Sequence, residues 1–280
     1  MLDFYQALSQ HAFLQTAVLA AVLASIGCGM IGTYVVVKRI AFIAGGIAHA
    51  VLGGMGAAVY YGFDPLSGAV VAALVAALII GWVHLYWQAR EDTLISALWA
   101  IGMAIGMLYL ARTPGDQVDL IGYLFGNILL VPTSSLYLMG AADVLLFTLV
   151  GLYRYSFLAV VFDTETARLR GVPVTFFYLL LLVMIALTVV LLIQVVGLIL
   201  VLALLTLPAA IAGQYVHSLG RMMIFATLLG MVISHLGLVF SYAPDLPPGP
   251  SIVLIAAALY LLSSLLSGYW MKRRVRHKSG

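Results

Sequence analysis

The sequence predicts an all-α polytopic membrane protein, and both its composition and its hydrophobic runs support this fold class. Hydrophobic residues make up 64% of the 280 residues and charged residues only 8%, whereas a soluble domain carries about 25% charged residues. Apolar residues fall in runs of the length, about 20 residues, that a helix needs to cross the hydrocarbon core of a bilayer. Water alone cannot solvate such a chain, so we expect one transmembrane domain over residues 1–280.

Nine apolar runs are long enough to cross a membrane as helices. Only Gln194 separates the sixth run from the seventh, so eight spans are the alternative. The shorter stretch 120–131 predicts a re-entrant helix. The first residues, "MLDFYQALSQHAF", predict an amphipathic lead-in and not a cleaved signal peptide, because no basic region precedes a short apolar core. The predicted spans are 12–37, 42–62, 65–87, 93–111, 134–153, 173–193, 195–216, 221–242 and 250–270.

Cations mark one side of the predicted spans. Cytoplasmic loops of membrane proteins carry an excess of Lys and Arg, and the loops "YGFDPLSG", "TPGDQVDL" and "YAPDLPPGPS" on the other side are acidic or neutral. We therefore expect the N-terminus outside and the C-terminus in the cytoplasm. The net charge of +3 comes mostly from the tail "MKRRVRHKSG" and indicates orientation, not nucleic-acid binding. The cytoplasmic cations are Lys38, Arg39, Arg90, Arg154, Arg168, Arg170, Arg221 and the tail.

The longest predicted cytoplasmic loop, 154–173, contains a short helix with its own capping residues. Asp163 suits the N-cap position, Arg168 lies where a cation favours the helix dipole, and Gly171 can end the helix. We expect this helix, about 162–171, to project from the membrane. It is either an ordinary capped connector or a docking element for a soluble partner.

Four stretches carry a family resemblance. "FDTETARLRGVP" (162–173) resembles the FDxExAxxxG stretch of the permeases of zinc/manganese-type metal ABC transporters, and "GLILVLALLTLPAAIAG" (197–213) is similar to their GxxLVxALLxxPAAxA span. "DLPPGPSIVL" (245–254) matches their outward turn, and "KRIAFIAGGIAHAVLGG" (38–54) aligns with the span that carries their intramembrane histidine. The motifs occur in the family's order and cover most of the chain.

The resemblance implies a half-transporter in the inner membrane of a prokaryote. Two copies would form the path, a separate pair of ATP-hydrolysing subunits would dock below, and an extracytoplasmic binding protein would deliver the metal ion. The chain has no GxxxxGK[ST] phosphate-binding loop, so we expect a transport subunit and not an enzyme, with ATP bound only by its partner and no permanently bound cofactor. Zinc or manganese is the implied substrate, with iron as a further candidate.

The resemblance also assigns residues. In the family the helix at 162–171 is the coupling helix, which implies contacts with the ATPase from Glu165 and Arg168 above all. The matching positions of that motif are Phe162, Asp163, Glu165, Arg168 and Gly171.

His49 is the main candidate for the transport path. Family members usually place an Asp four residues before this His, on the same helix face, and a carboxylate with an imidazole suits manganese or zinc. Here position 45 is Gly, so the expected carboxylate is missing and a weak, passing site is predicted. Gly45 and Gly46 could also serve gating by letting helices approach closely. The alternative for His49 is a histidine hydrogen-bonded across a helix pair, with no metal.

Three further residues are candidates. His235 lies in the eighth run and either lines an upper vestibule, where it could meet a metal ion, or packs as a hydrogen-bonded histidine. Pro208 in the seventh run removes a backbone hydrogen bond and could hinge the helix or set its packing. Asp245 belongs to an acidic outer mouth that would concentrate cations, or is a solvated loop residue.

Three other functions would make different demands on these residues. An importer of iron chelates would have a wider path without a protein ligand, which Gly45 would allow. An intramembrane enzyme would need a paired nucleophile and base, but Ser234 and His235 are adjacent and therefore face different sides of a helix. A channel or secondary carrier would leave the docking-like helix at 162–171 unexplained.

Overall fold

The computed structural model describes residues 2–87, 91–113, 126, 128–244 and 246–278, and every regular element in these ranges is a helix. A 3-10 turn at Ile128–Leu130 lies between the fifth and sixth helices. The helices are α1 Leu2–Gln10, α2 Ala12–Lys38, α3 Ala41–Tyr60, α4 Pro65–Tyr86, α5 Glu91–Arg112, α6 Thr133–Leu152, α7 Arg154–Phe162, α8 Thr164–Leu169, α9 Val174–Val196, α10 Leu198–Tyr215, α11 Leu219–Tyr242 and α12 Pro248–Lys278.

The nine predicted spans are confirmed. Within the described ranges, nine helices (α2 to α6 and α9 to α12) are long and apolar enough to cross a membrane. Their ends lie within a few residues of the predicted ones, except that α12 continues through Lys278. The orientation of the termini stays a prediction.

The junction of the sixth and seventh spans lies at Gly197 and not at Gln194. Gly197 separates α9 from α10 with a φ of +78°. Glycine adopts this conformation readily because it has no Cβ, whereas in other residues the Cβ makes it strained. Gly126 packs directly against the backbone of Val196 and Gly197, where a side chain would not fit. The turn is therefore both strongly bent and closely covered.

The core lies around α2, α3 and α9. Each of these helices buries about two thirds or more of its span within the protein, at 72%, 72% and 67%. In contrast, α5 and α6 bury only 17% of theirs. Because both are apolar, their outer faces belong against lipid or another protein.

Glycines let α3 approach its neighbours backbone to backbone. A Cβ on Gly53 would lie 2.9 Å from the carbonyl oxygen of Gly102 in α5, and one on Gly56 would lie 2.6 Å from that of Gly106. Gly54 meets Gly68 of α4 in the same way. Small residues at such crossings are typical of helices in membranes, where close van der Waals contact drives association. Helix α3 is thus held tightly between α4 and α5.

Two predicted segments fall partly or wholly outside the described residues. Of the proposed re-entrant helix at 120–131, only Gly126 and 128–131 are described, and they include the 3-10 turn. Asp245 is likewise outside the described residues, so its predicted place at the outer mouth is not tested.

Candidate transport path and coupling helix

His49 lies in the buried middle of α3. Its imidazole stacks on the indole of Trp99 from α5, with ring centroids 3.9 Å apart and planes 14° from parallel. The Nδ1 atom is buried and has no hydrogen-bond partner among the described residues. An unpaired polar atom in a dry site costs free energy, so this nitrogen is a candidate ligand atom.

The two glycines before His49 have different surroundings. A Cβ on Gly46 would come 2.5 Å from Cγ2 of Ile95, which is too close, so Gly46 serves the approach of α3 to α5. A Cβ on Gly45 would lie 3.7 Å from Cζ3 of Trp99, an ordinary van der Waals distance. The space beside Gly45 is therefore bordered by Trp99 and could hold a larger residue.

The protomer offers no ready-made metal cage in the part of the chain that the structure describes. No group of three or more His, Cys, Asp or Glu side chains converges there. A closed structural zinc site in a protein usually has four protein ligands. Any ligation by His49 would therefore need water, backbone oxygen atoms or a second copy of the chain.

The predicted coupling helix corresponds to α8, and its self-capping is confirmed. The backbone N–H of Thr166 donates to Oδ1 of Asp163 at 3.0 Å, and hydrogen bonds from Thr166 lower the pKa of Asp163 below its ordinary value. Gly171, with a φ of +76°, follows the helix. The side chains of Glu165 and Arg168 are exposed.

Apolar residues frame this helix. Ala167 is buried and fixes α8 to the bundle, whereas Phe162 and Leu169 expose 63% and 89% of their surfaces. Charged and apolar side chains thus lie side by side on the exposed surface of this segment. The sequence-predicted residues of the helix thus share one region of the molecule, although Phe162 is the last residue of α7.

Lys38 ties α8 to the end of α2, a contact that sequence reasoning missed. Its Nζ donates to the carbonyl oxygen of Val160 at 3.0 Å and to Oγ1 of Thr164 at 3.4 Å. The next residue, Arg39, has a φ of +61° and turns the chain into α3. The turn that leads into the His49 helix and the start of α8 therefore lie at one corner. From sequence, Lys38 with Arg39 suggested mainly a topology anchor, with direct contact to the ATPase as the alternative. The contacts with α7 and α8 escaped prediction because the partners are more than 120 residues away.

The remaining candidates lie apart from His49 in the sequence and on other helices. Nε2 of His235 pairs with the hydroxyl of Tyr5 at 3.0 Å, and the ring also contacts Phe4, so His235 holds α1 against α11. Pro208 is buried within α10, which continues through it. Neither the metal role of His235 nor a hinge at Pro208 is tested by these contacts.

A half-buried carboxylate in α6, with one buried oxygen, was also missed. Asp143 lies halfway along this span, and its Oδ2 has no hydrogen-bond partner among the described residues. A Cβ on Gly27 of α2 would lie 2.9 Å from Oδ1, so the Asp143 side chain would have to shift to admit one. Ionisable residues inside spans are costly, and hydropathy did not reveal this one because a single Asp barely changes the mean of an apolar run.

The fold defines a polytopic all-α membrane protein, with nine candidate spans among the described residues. The chain matches the ABC 3 transport family over residues 10–267 and therefore belongs to that family. This result confirms the resemblance found in the four motifs.

Relatives and a solved structure cover nearly the whole chain. It is 49% identical to an uncharacterized membrane protein of Synechocystis sp., over 91% of this chain and 90% of the other. It is 32% identical to the manganese transport system membrane protein MntC of Halalkalibacterium halodurans, over 99% of this chain and 97% of that protein. Among solved structures it is similar to PsaBC from Streptococcus pneumoniae in complex with Fab, with a TM-score of 0.84, 32% identity and coverage of 93% and 94%.

Proposed function

We propose that this chain is the permease subunit of an ABC importer for divalent metal ions, zinc or manganese, with iron as a further candidate. The observation that carries the proposal is the full-length likeness to a manganese transport system membrane protein. The buried, unpaired Nδ1 of His49 supports it, since borderline divalent metals bind imidazole nitrogen. The self-capped α8, with Glu165 and Arg168 exposed, supports coupling to a soluble partner.

The proposed assembly contains two copies of this chain, a cytoplasmic pair of ATP-binding subunits and an extracytoplasmic metal-binding protein, in the plasma membrane of a prokaryote. The weakly buried helices α5 and α6 offer apolar faces to a second copy. Glu165 and Arg168 contact the ATP-binding subunit, and Asp245 belongs to the outer mouth. Pro208 is a proposed hinge in α10.

The proposed mechanism transmits a movement and makes no covalent bond. ATP binding closes the pair of ATP-binding subunits and moves α8. The Lys38 contacts pass that movement to the corner between α2 and α3. The path then opens around α3, the metal ion passes His49, and ATP hydrolysis resets the assembly. A lone imidazole per copy gives weak ligation, which suits a path that must release its ion.

Reconstitution tests this proposal. The permease and its ATP-binding partner are placed in proteoliposomes with the binding protein, and uptake of zinc, manganese, iron and an iron chelate is measured with and without ATP. We expect ATP-dependent uptake of zinc or manganese. ATP hydrolysis without uptake of any free divalent metal, or uptake of the chelate alone, would contradict the proposal.

A paired variant tests the docking role. Replacing Glu165 and Arg168 together by Ala should abolish uptake while the membrane protein keeps its size and stability. The matched control replaces Asp92 and Arg221, an exposed acid and an exposed base on other helices, and should leave uptake near the unaltered level. Full uptake by the Glu165/Arg168 variant would show that α8 is an ordinary connector.

A further inference from the structure

The stack of His49 on Trp99 has a consequence for the choice of metal. The indole covers one face of the imidazole at 3.9 Å. A metal ion binds an imidazole nitrogen in the plane of the ring, so a partner on the ring face leaves the nitrogen free for it. The unpaired Nδ1 is such a nitrogen. Trp99 therefore holds the ring and does not compete for the ion.

Two contacts keep this arrangement in place. The carbonyl oxygen of His49 lies on the crossing with α5, where a Cβ on Gly102 would come within 2.9 Å of it. Four residues further along α5, Gly106 makes a similar approach to Leu52. Because the two backbones touch, neither ring can leave the stack without a change of rotamer or a separation of the helices. The pair is preorganised on two rigid elements.

The aromatic face also favours a charged imidazole. The face of an indole carries negative electrostatic potential, and a cation above it within about 6 Å is stabilised, more so when water is excluded. A metal-bound imidazole carries part of the ion's positive charge. The stack therefore strengthens as His49 takes up an ion.

The donor set distinguishes zinc from manganese. Imidazole suits zinc, whereas carboxylate, carbonyl and water suit manganese, and nitrogen sites bind zinc more tightly than manganese. Position 45, one turn before His49, is Gly and carries no carboxylate, and Trp99 borders the space that a side chain there would enter. We infer that the His49–Trp99 pair makes this permease select zinc over manganese, with Trp99 as a specificity-determining residue. This inference rests on the proposed function.

Competition uptake tests the inference. The permease, reconstituted with its ATP-binding and binding-protein partners, is supplied with equal concentrations of radioactive zinc chloride and manganese chloride. The unaltered protein should take up more zinc than manganese. Trp99→Ala should lower the zinc-to-manganese ratio by up to about thirtyfold. The full effect of a desolvated cation–π contact, about 2 kcal/mol, sets this upper bound because the contact also stabilises a manganese-bound imidazole. Trp99→Phe should fall between the two, because a smaller ring still covers the imidazole.

Two more variants separate selectivity from folding. Gly45→Asp should shift the ratio toward manganese, since a Cβ there meets nothing closer than 3.7 Å and residues four apart share a helix face. Trp82→Ala, which removes a half-exposed Trp of α4, is the matched control and should keep the ratio of the unaltered protein.

The outcomes distinguish failure of the zinc selectivity from failure of the proposed function. The inference is overturned if the unaltered protein prefers manganese, or if both Trp99 variants keep the zinc-to-manganese ratio of the unaltered protein. In either case, ATP-dependent uptake of one of the metals still supports the proposed function. No ATP-dependent uptake of either metal refutes the proposed function and the selectivity with it. If Trp99→Ala fails to fold, Trp99→Phe and Gly45→Asp decide the question.

Discussion

The Lys38 contacts give a sharp test of how movement crosses this protein. Lys38→Met removes the charged donor and keeps an unbranched apolar stem of similar length. The lost bond to the carbonyl oxygen of Val160 is 3.0 Å long, whereas the bond to Thr164 is weaker at 3.4 Å. A hydrogen bond made by a charged group contributes about 2 kcal/mol. The equilibrium constant for attachment of α7 and α8 to the end of α2 should therefore fall roughly thirtyfold.

The assay is the number of metal ions taken up per ATP hydrolysed in proteoliposomes. We expect Lys38→Met to keep ATP hydrolysis and binding of the ATP-binding subunit, because Glu165 and Arg168 are untouched, while uptake per ATP falls. Lys38→Arg should restore it, since a guanidinium can donate to the same carbonyl. Thr164→Val removes the longer Lys38 bond and the 3.4 Å bond from the Thr164 hydroxyl to the carbonyl oxygen of Val160, and should have a small effect. A normal ratio in Lys38→Met would refute the transmission through this corner.

Two further predictions concern packing and pH. Gly53→Ala should lower the unfolding temperature in a thermal assay, because the new Cβ would lie 2.9 Å from the carbonyl oxygen of Gly102. Gly45→Ala should leave the unfolding temperature nearly unchanged, because its new Cβ would lie 3.7 Å from the nearest neighbouring atom. Equal losses would contradict the packing argument. The folded-state pKa of Asp163 is lowered, so its cap is fully present above the ordinary aspartate pKa and is lost as pH falls through the lowered value. Hydrogen exchange at the Thr166 amide, corrected for intrinsic rates, should rise in that acidic window, and Asp163→Asn should remove the pH dependence; a window at neutral pH would contradict the assignment.

The sequence predicted the spans and the capped helix well because both depend on local signals. Hydropathy over about 20 residues reports membrane crossing directly, and Asp163 with Gly171 marks a helix by its ends. The Gly197 junction was misplaced by three residues, since apolar residues continue through the turn and only the positive φ reveals it.

Trp99 was not predicted for a different reason. Nothing near it in the chain distinguishes it from other aromatic residues in spans, and its importance arises from a neighbour 50 positions away. The same holds for Lys38, whose partners lie across the fold. Contacts of this kind are set by tertiary packing, which hydropathy and spacing do not encode.

The packing of the helices explains why the corner at Lys38 and Arg39 matters. Helix α3 packs chiefly against α4 and α5, whereas α2 packs chiefly against α10 and α11, and α2 and α3 barely touch each other. Arg39, the one non-glycine residue of the described chain with a positive φ, joins these two groups, and the Lys38 contacts attach α7 and α8 at the same point. Packed groups move as units while the residues between them absorb the rotation. In the proposed mechanism, a force on α8 turns α3 to α5 against α2 along the surface where α4 packs on α9. This movement changes the access to His49 without disturbing the glycine contacts that hold His49 on Trp99.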